Sequence, residues 1–428
     1  MADSLYWVWL AESIGAGSKA YGPLLERFGS AYEIYRADEE ELYKIPDVSE
    51  RELVRLCDKN LDAAQKIVDY CTRSGVGILT YDGEKFPKRL KTIRNSPVVI
   101  YYKGRLPDFD RRLCIAVVGT RKTTEYGEQT AYKMGYELAY AGAVVVSGMA
   151  LGADGIAACG ALEAHGVTCA VLGCGIDVVY PRDHKRLMDR IIEHGAVMTE
   201  FSPGTPPAGY HFPIRNRIIS GLCQGTLVIE ADVKSGALIT ANEALYQGRD
   251  VYALPGNING VNSEGTNKLI KEGAKIVTRA DDIIAEYEFL YSDSISYERL
   301  KHAKESSFFD RGTLERYGVR SRYPTPEKKE NTLPPERKEE KHTATETGPE
   351  KKPKKRFGGV LKKKNEPDTS MLDDVCRAVY EIMPDGASVS ADVLAGSGVP
   401  AKDIMSALTI LEINGFICAL PGGLYVKI

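Results

Sequence analysis

The sequence predicts an α/β chain in which an extended Rossmann-like domain with a mostly parallel sheet is flanked by an N-terminal helical domain, of the SAM or helix-hairpin-helix type, and a C-terminal winged helix. Three patterns support this: apolar residues recur first at helical spacing, then in short runs alternating with helical stretches, and finally in a helix, helix, turn, helix, hairpin order. We expect domains at residues 1–77, 78–290 and 370–428, with a transition and flexible charged linker over 291–369.

Composition restricts the classes of function. A chain of 428 residues is long enough for two to four domains, and its net charge of −3 means that any nucleic-acid site must be a local basic patch. The nine cysteines form no CxxC pair, which favours reduced thiols in the cytoplasm. The apolar stretch Leu5–Ala11 ends at Glu12, so neither an export signal nor a membrane span is expected.

The N-terminal region, from about Leu5 to Arg73, predicts four or five short helices separated by Gly and Pro. Ile14–Gly17 has the form of a helix-hairpin-helix turn, in which glycine lets backbone amides approach a phosphate. A plain helical packing module is the alternative.

The central region contains short, fully apolar runs, each followed by a glycine-bearing loop and a helical stretch. Strands that are apolar at every position indicate a parallel sheet covered on both faces, with ligands outside the strand C-terminal ends. The predicted strands are Leu113–Val118, Ala143–Val146, Thr168–Leu172, Ala196–Met198, Thr226–Ile229, Asp250–Leu254 and Lys275–Val277.

Several strand ends carry residues suited to anions. After the first strand, Gly119, Thr120, Arg121 and Lys122 combine a tight turn with free amides and two cations. A turn glycine beside a solvated Arg-Lys pair is the alternative, and the single glycine disfavours a nicotinamide cofactor.

Further loops extend this pattern along the same edge. Ser147 and Gly148 follow the second strand, where Asp154 is expected to cap a helix rather than catalyse, and Lys185 follows a third glycine-rich loop. Lys234, Ser235 and Gly236 stand at another strand-to-helix junction. Several such loops on one sheet edge indicate an extended polyanion as ligand.

The segment from Tyr210 to Gly221 is the most specific. Phe212 precedes Arg215, Asn216 and Arg217, and an aromatic face combined with cations is how proteins hold single strands without reading their sequence. In the alternative, one of the arginines pairs structurally with Glu200 or Glu230.

From about Lys304 to Asp368 the chain is rich in Pro, Lys and Glu and predicts a flexible linker, with auxiliary electrostatic contact to DNA as the alternative. Beyond it, helices over Met371–Met383, Ser390–Ala395 and Ala401–Asn414 and a final strand pair form a winged-helix pattern. Asp403 and Glu412 on the third helix favour protein or regulatory contact over sequence-specific reading of DNA.

Six motifs in order give the chain a family resemblance. They are Gly119-Thr120-Arg121, Ser147-Gly148-Met149-Ala150, Tyr180-Pro181, Phe212-Pro213-x-Arg215-Asn216-Arg217, Ser235-Gly236-Ala237-Leu238-Ile239-Thr240 and Pro255-Gly256. Together they resemble the DNA-processing protein A (DprA/Smf) family over about Tyr81 to Ile284.

The resemblance implies a bacterial cytoplasmic homodimer that protects incoming single-stranded DNA in natural transformation and loads the RecA recombinase, without cofactor, metal or catalytic residues. It assigns the DNA pocket to Arg121, Phe212, Arg215 and Arg217, with additions at Gly119, Thr120, Ser147, Gly148 and Lys234. Two features depart from the family: GTR replaces the commoner GSR, and the lysine that some members carry just before Phe212 is absent, which leaves Tyr210 or His211 to compensate.

Two alternative functions have sequence requirements of their own. A phosphoribohydrolase-like nucleotide enzyme needs a PGGxGTxxE loop, but Pro255-Gly256-Asn257 breaks it and no Glu follows Gly265-Thr266 at the required spacing. A winged-helix regulator would instead bind duplex DNA through residues 370–428.

Overall fold

The computed structural model describes residues 2–323, 374–384, 389–395, 400–413, 416–420 and 424–427. The chain forms two compact units, Met1–Thr332 and Leu333–Ile428. The N-terminal helices and the large sheet both belong to the first unit, and the winged helix is the second.

Six helices precede the first strand, so the prediction of four or five was slightly low. Their buried side chains, among them Trp7 and Leu24, belong to the same hydrophobic cluster as Ile115 and Val117 of the sheet. The N-terminal helices therefore share a core with the α/β region. They are α1 (Ala2–Ile14), α2 (Tyr21–Phe28), α3 (Ala31–Arg36), α4 (Glu39–Leu42), α5 (Glu50–Cys57) and α6 (Asp62–Arg73).

The sheet has nine strands in the order β1-β2-β6-β5-β4-β3-β7-β8-β9. All seven predicted strands are present and run parallel, while β1 and β2 join one edge in antiparallel pairing. The strands are β1 (Gly77–Thr80), β2 (Val99–Gly104), β3 (Cys114–Val118), β4 (Val144–Ser147), β5 (Thr168–Val171), β6 (Ala196–Thr199), β7 (Gly225–Val228), β8 (Asp250–Ala253) and β9 (Lys275–Ile276).

Helices cover both faces of this sheet. Alternate residues of β3 enter different cores, with Ile115 and Val117 in one and Cys114 and Ala116 in the other. The five central strands β3 to β7 are buried at every position, which explains why their sequences are predominantly apolar. The covering elements are α7 (Lys88–Lys91), α8 (Glu125–Tyr140), α9 (Ala153–Glu163), α10 (Lys185–His194), α11 (His211–Leu222), α12 (Gly236–Tyr246), α13 (Val261–Lys271) and α14 (Asp281–Tyr287), with a 3-10 turn at Arg182–His184.

The predicted linker begins too early. Two helices, α15 (Tyr297–Ser306) and α16 (Arg311–Arg316), bury Leu300 and Leu314 in the core of the first unit, and Val319, just after α16, is buried there too. Residues 291–323 are therefore folded, and the rest of the predicted linker lies outside the described residues. A few apolar side chains at helical spacing suffice here, although charged residues dominate the composition.

The second unit has the predicted winged-helix order with one additional strand. Its core includes Val379, Leu408 and Leu411. The predicted turns at 396–399 and 421–423 lie outside the described residues. The elements are α17 (Asp374–Ile382), β10 (Val389–Ser390), α18 (Ala391–Ala395), α19 (Ala401–Ile413), β11 (Ile417–Leu420) and β12 (Leu424–Lys427), with strand order β10-β12-β11.

Two further features concern the cysteines and the helices. All nine cysteines are free thiols, and seven of them are buried. In the part of the chain that the structure describes, each helix is too short or too polar to cross a bilayer.

Candidate nucleic-acid interface

A pocket of about 690 Å³ opens where the C-terminal ends of the parallel strands meet the N-termini of their helices. It brings together residues from the loop after β3 with residues from α11 and the loop after β7, which follow much later in the chain. The predicted site residues that line it are Gly119, Thr120, Arg121, Lys122, Phe212, Arg215, Asn216, Ser235 and Gly236.

The loop from Gly119 to Thr124 is fixed by contacts with Glu230. The Thr120 amide donates to the Glu230 carbonyl at 2.7 Å, and the Thr124 amide donates to the Glu230 carboxylate at 2.9 Å. A Cβ on Gly119 would lie 2.7 Å from the Cβ of Ala153, so no larger residue fits there. Arg121 and Lys122 remain exposed on this fixed loop. Burial raises the pKa of Glu230, and the Thr124 hydrogen bonds oppose that rise.

The Phe212 ring is the centre of the pocket. The guanidinium carbon of Arg121 lies 5.3 Å from its centroid, and that of Arg215 lies 5.9 Å from it. The Tyr180 ring packs beside it at 5.3 Å between centroids. Gly173 leaves room for this arrangement, since a Cβ there would approach Phe212 to 2.8 Å. The result is a partly exposed aromatic ring with two cations nearby, suited to stacking a planar group near an anion.

Arg215 is a buried, fixed charge. Its Nη1 donates to the Gly148 carbonyl at 2.9 Å and to the Val171 carbonyl, which ties together the ends of β4 and β5. Burial lowers the pKa of Arg215 to about 10, so the guanidinium is still protonated at neutral pH. It therefore shapes the pocket and contributes positive charge without being freely exposed.

Asp154 lies next to Arg215 and lines the same pocket. Its Oδ2 accepts a hydrogen bond from the Gly148 amide at 2.9 Å, whereas Gly152 occupies the N-cap position of α9. The predicted capping role is thus wrong in detail, because the carboxylate stabilises the preceding loop. Burial raises the pKa of Asp154, and Arg215 opposes that rise.

Comparison with known proteins identifies the family of the chain. A family profile for DNA recombination-mediator protein A matches residues 77–288, and one for the DprA winged helix domain matches residues 363–423. DNA processing protein DprA of Streptococcus pneumoniae is 45% identical over 206 residues, covering 48% of this chain and 72% of that protein. Protein Smf of Escherichia coli is 34% identical over 353 residues, covering 82% of this chain and 77% of that protein.

The chain belongs to the DprA/Smf family. An X-ray structure of DprA from Streptococcus pneumoniae matches with a TM-score of 0.58 and 34% identity, covering 66% of this chain and 97% of that one. The predicted family and fold class are confirmed, and the family is one of DNA-processing recombination mediators.

Other predicted residues of this DprA/Smf protein lie outside the pocket. Arg217, two positions after Arg215, points away from Phe212 and forms a buried ion pair with Glu200. The structural pairing considered for one arginine therefore holds for Arg217. Glu230, the other acid considered as its partner, instead binds Thr124.

The remaining predicted residues have supporting or peripheral positions. Ser147 is buried below the pocket and accepts a hydrogen bond from the Met149 amide at 3.3 Å. Lys185 is exposed and pairs with Asp189, and Lys234 is exposed outside the pocket lining. The Ser235 side chain accepts from the Ala237 amide at 3.3 Å and so caps α12.

The predicted replacement of the missing lysine by His211 is wrong. His211 is buried, and its Nδ1 lies 3.1 Å from the Gly173 carbonyl. Burial lowers the pKa of His211, so its ring is neutral at pH 7 and cannot supply a lysine's charge. Tyr210 is 70% exposed next to it and does not line the pocket.

The pocket also contains residues that the sequence did not single out for DNA contact. They are Asp154, Tyr180, Pro207, Ala208, Gly209, Asp232, Ile239 and Thr240. Tyr180, Ile239 and Thr240 belong to the family motifs but were not assigned to the DNA site, whereas no motif marks the others, which converge only through the fold.

The Ile14–Gly17 turn faces inward, which favours the packing alternative. The Gly17 amide donates to Glu200 Oε1 at 3.2 Å. The φ of Gly17 is +74°, and a Cβ there would come within 2.7 Å of Ile214 Cγ2. This amide is thus engaged by a carboxylate and is not free for a phosphate. Among the described residues, no cluster of three metal-ligating side chains occurs.

Proposed function

We propose that the Phe212 pocket binds single-stranded DNA. The observation that supports this is the partly exposed Phe212 ring, with the guanidinium carbons of Arg121 and Arg215 at 5.3 and 5.9 Å from its centroid. A base stacks on that ring, and exposed Arg121 and Lys122 neutralise the flanking phosphates. A duplex keeps its bases stacked on one another, so it cannot use the ring in this way.

The polar rim supports the same ligand. Gly236 and Ala237, at the start of α12, line the pocket, and the positive end of the helix dipole there favours an anion. Because the chain as a whole carries a net charge of −3, this local concentration of cations and amides is what attracts a polyanion.

Further roles follow from the family resemblance. The protein acts in the cytoplasm as a homodimer joined through its α/β domain, protects incoming single strands during natural transformation and loads RecA onto them. It works as a binding protein without a cofactor or a catalytic step, and its winged helix makes protein or regulatory contacts. A RecA filament-assembly assay on single strands coated with single-strand-binding protein tests the loading role.

A mobility-shift comparison tests the DNA site. Wild-type protein should bind single-stranded DNA more tightly than a duplex of the same sequence, and its affinity should fall with salt. Arg121→Ala should weaken single-strand binding and flatten the salt dependence by about 0.7 per lost phosphate contact.

Arg111→Ala is the matched control. Arg111 is an exposed arginine that precedes the N-terminal end of β3, whereas the pocket lies at the C-terminal end of that strand. It should bind like wild type. Equal affinity for duplex and single strand, or unchanged binding by Arg121→Ala, would contradict the proposal.

A further inference from the structure

A second groove, of about 710 Å³, lies where the end of the first unit meets the start of α10. One side carries Lys185 and Arg186, and the other is the segment Gly318–Tyr323, which the sequence alone assigned to a linker. We call it the strap groove.

The Gly318–Tyr323 side of the strap groove is held in place by carboxylate side chains of the first unit. Arg311 pairs with Glu125 and Glu128, and Glu128 accepts hydrogen bonds from Ser321 Oγ at 2.6 Å and from the Arg322 amide at 2.9 Å. The groove is therefore preformed, and its wall is anchored on α8, the helix that follows Arg121 and Lys122.

The lining of the strap groove has a basic excess. Three cations, Lys185, Arg186 and Arg320, line the groove with two acids, Asp183 and Glu315, and Lys185 also forms an exposed ion pair with Asp189, outside the lining. Arg320 Nε lies 3.3 Å from Asp183 Oδ2, and these side chains are 80% and 44% exposed. Exposed ion pairs contribute little stability, so a phosphate can replace the carboxylate.

The strap groove is close to the Phe212 pocket. Tyr180 lines the pocket, and Lys185, five positions later, lines the groove. Since consecutive Cα atoms are 3.8 Å apart, these two residues are separated by at most about 19 Å. A single strand leaving Phe212 needs only a few nucleotides to arrive there.

We propose that the strap groove binds the continuation of the single strand held at Phe212. Lys185, Arg186 and Arg320 neutralise its phosphates, and the partly exposed Tyr323 ring, with the Arg311 guanidinium carbon 5.6 Å from its centroid, offers a second stacking surface. This inference rests on the proposed function and extends it, because it assigns DNA contacts to a segment outside the predicted α/β domain.

The test uses the full chain and oligo(dT) of about 4 to 16 nucleotides, a range that covers known single-strand site sizes. The double variant Arg186→Ala/Arg320→Ala should bind the shortest oligonucleotides like wild type and the longest more weakly, with a salt slope smaller by about 1.4 for two lost phosphates. Tyr323→Ala should weaken binding of the longest about five-fold or more. Arg111→Ala is again the matched control.

The outcomes separate the two proposals. Arg121→Ala should weaken binding at every length, and if it does not, the Phe212 site itself is wrong. If Arg121→Ala weakens binding but both strap variants match wild type at all lengths, the strap groove does not bind the strand.

Photo-crosslinking gives a second readout that does not depend on variant folding. Wild-type protein and long oligonucleotides carrying 5-iododeoxyuridine should yield a crosslink within residues 318–323. Crosslinks confined to the Phe212 pocket would overturn the inference, as would groove-dependent binding of an acidic peptide with no effect on DNA.

Discussion

Arg217 and Glu200 form a buried ion pair that connects the pocket helix α11 to the N-terminal helices. Arg217 Nη2 donates to Glu200 Oε2, while Oε1 of the same carboxylate accepts the Gly17 amide. The side chains are only 6% and 4% exposed. Glu200 thus bridges the Ile14–Gly17 turn and the helix that carries Phe212 and Arg215.

Replacing Arg217 should destabilise the fold. Arg217→Ala leaves the Glu200 carboxylate buried without its countercharge, and we expect the free energy of unfolding to fall by about 3–5 kcal/mol. Urea denaturation measures this. Folded Arg217→Ala should keep the wild-type salt slope for single-strand binding, because Arg217 lies outside the pocket. A reduced slope would mean that Arg217 contacts a phosphate.

Gly17 is constrained by both conformation and space. Gly17→Ala places a Cβ 2.7 Å from Ile214 at a φ of +74°, and we expect a loss of about 1–3 kcal/mol in the free energy of unfolding. Gly15→Ala is the matched control, since Gly15 also has a positive φ but no atom within 4 Å of its added Cβ. Equal losses in the two variants would show that packing on Ile214 contributes nothing.

Phe212 is expected to supply stacking. Phe212→Ala should weaken single-strand binding by about 1–3 kcal/mol, as measured by fluorescence anisotropy. Tyr210→Ala removes an aromatic ring two positions away that does not line the pocket, and it should have little effect. A larger loss from Tyr210→Ala than from Phe212→Ala would place the stacking surface elsewhere.

Arg121→Ala and Arg215→Ala should differ in their effect on the free energy of unfolding. Arg121→Ala should weaken DNA binding at unchanged free energy of unfolding, because Arg121 is exposed. Arg215→Ala removes the donor to the Gly148 and Val171 carbonyls and leaves Asp154 buried, so it should reduce both properties. Thermal unfolding of the two variants provides the comparison, and an undiminished melting temperature for Arg215→Ala would contradict it.

Acidification should destabilise the protein through its buried histidines. Burial lowers the pKa of His184 and of His211 in the folded state. Below the ordinary histidine pKa of about 6.5, the unfolded chain binds more protons than the folded one, so stability is lost as the pH falls further. The raised pKa values of Asp154 and Glu230 act in the opposite direction, and stability from their protonation is lost as the pH rises.

The histidine contribution to the pH dependence of stability is isolated by comparing the free energy of unfolding of wild type with that of a His184→Asn/His211→Asn variant. Urea denaturation between pH 7 and pH 5 should show a smaller stability loss in the variant. An equal or steeper loss would assign the pH dependence to other groups.

The sequence by itself determined the parallel sheet and the glycine-bearing loops at the C-terminal ends of its strands. Strands buried on both faces favour apolar residues at every position, and a strand-to-helix turn beside an anion favours glycine and free amides. Both features can therefore be recognised from a short stretch of sequence. The edge strands β1 and β2 were missed because the patterns of short apolar runs are ambiguous.

The tertiary structure decided which charges serve which purpose. Arg215 and Arg217 belong to one motif, but the fold alone brings Gly148 and Val171 to the first and Glu200 to the second. Likewise, the segment ending at Tyr323 is charged in composition, and the fold alone brings its Arg311 to Glu125 and Glu128, nearly 200 positions earlier. Such partners are set by long-range packing, which no local pattern encodes.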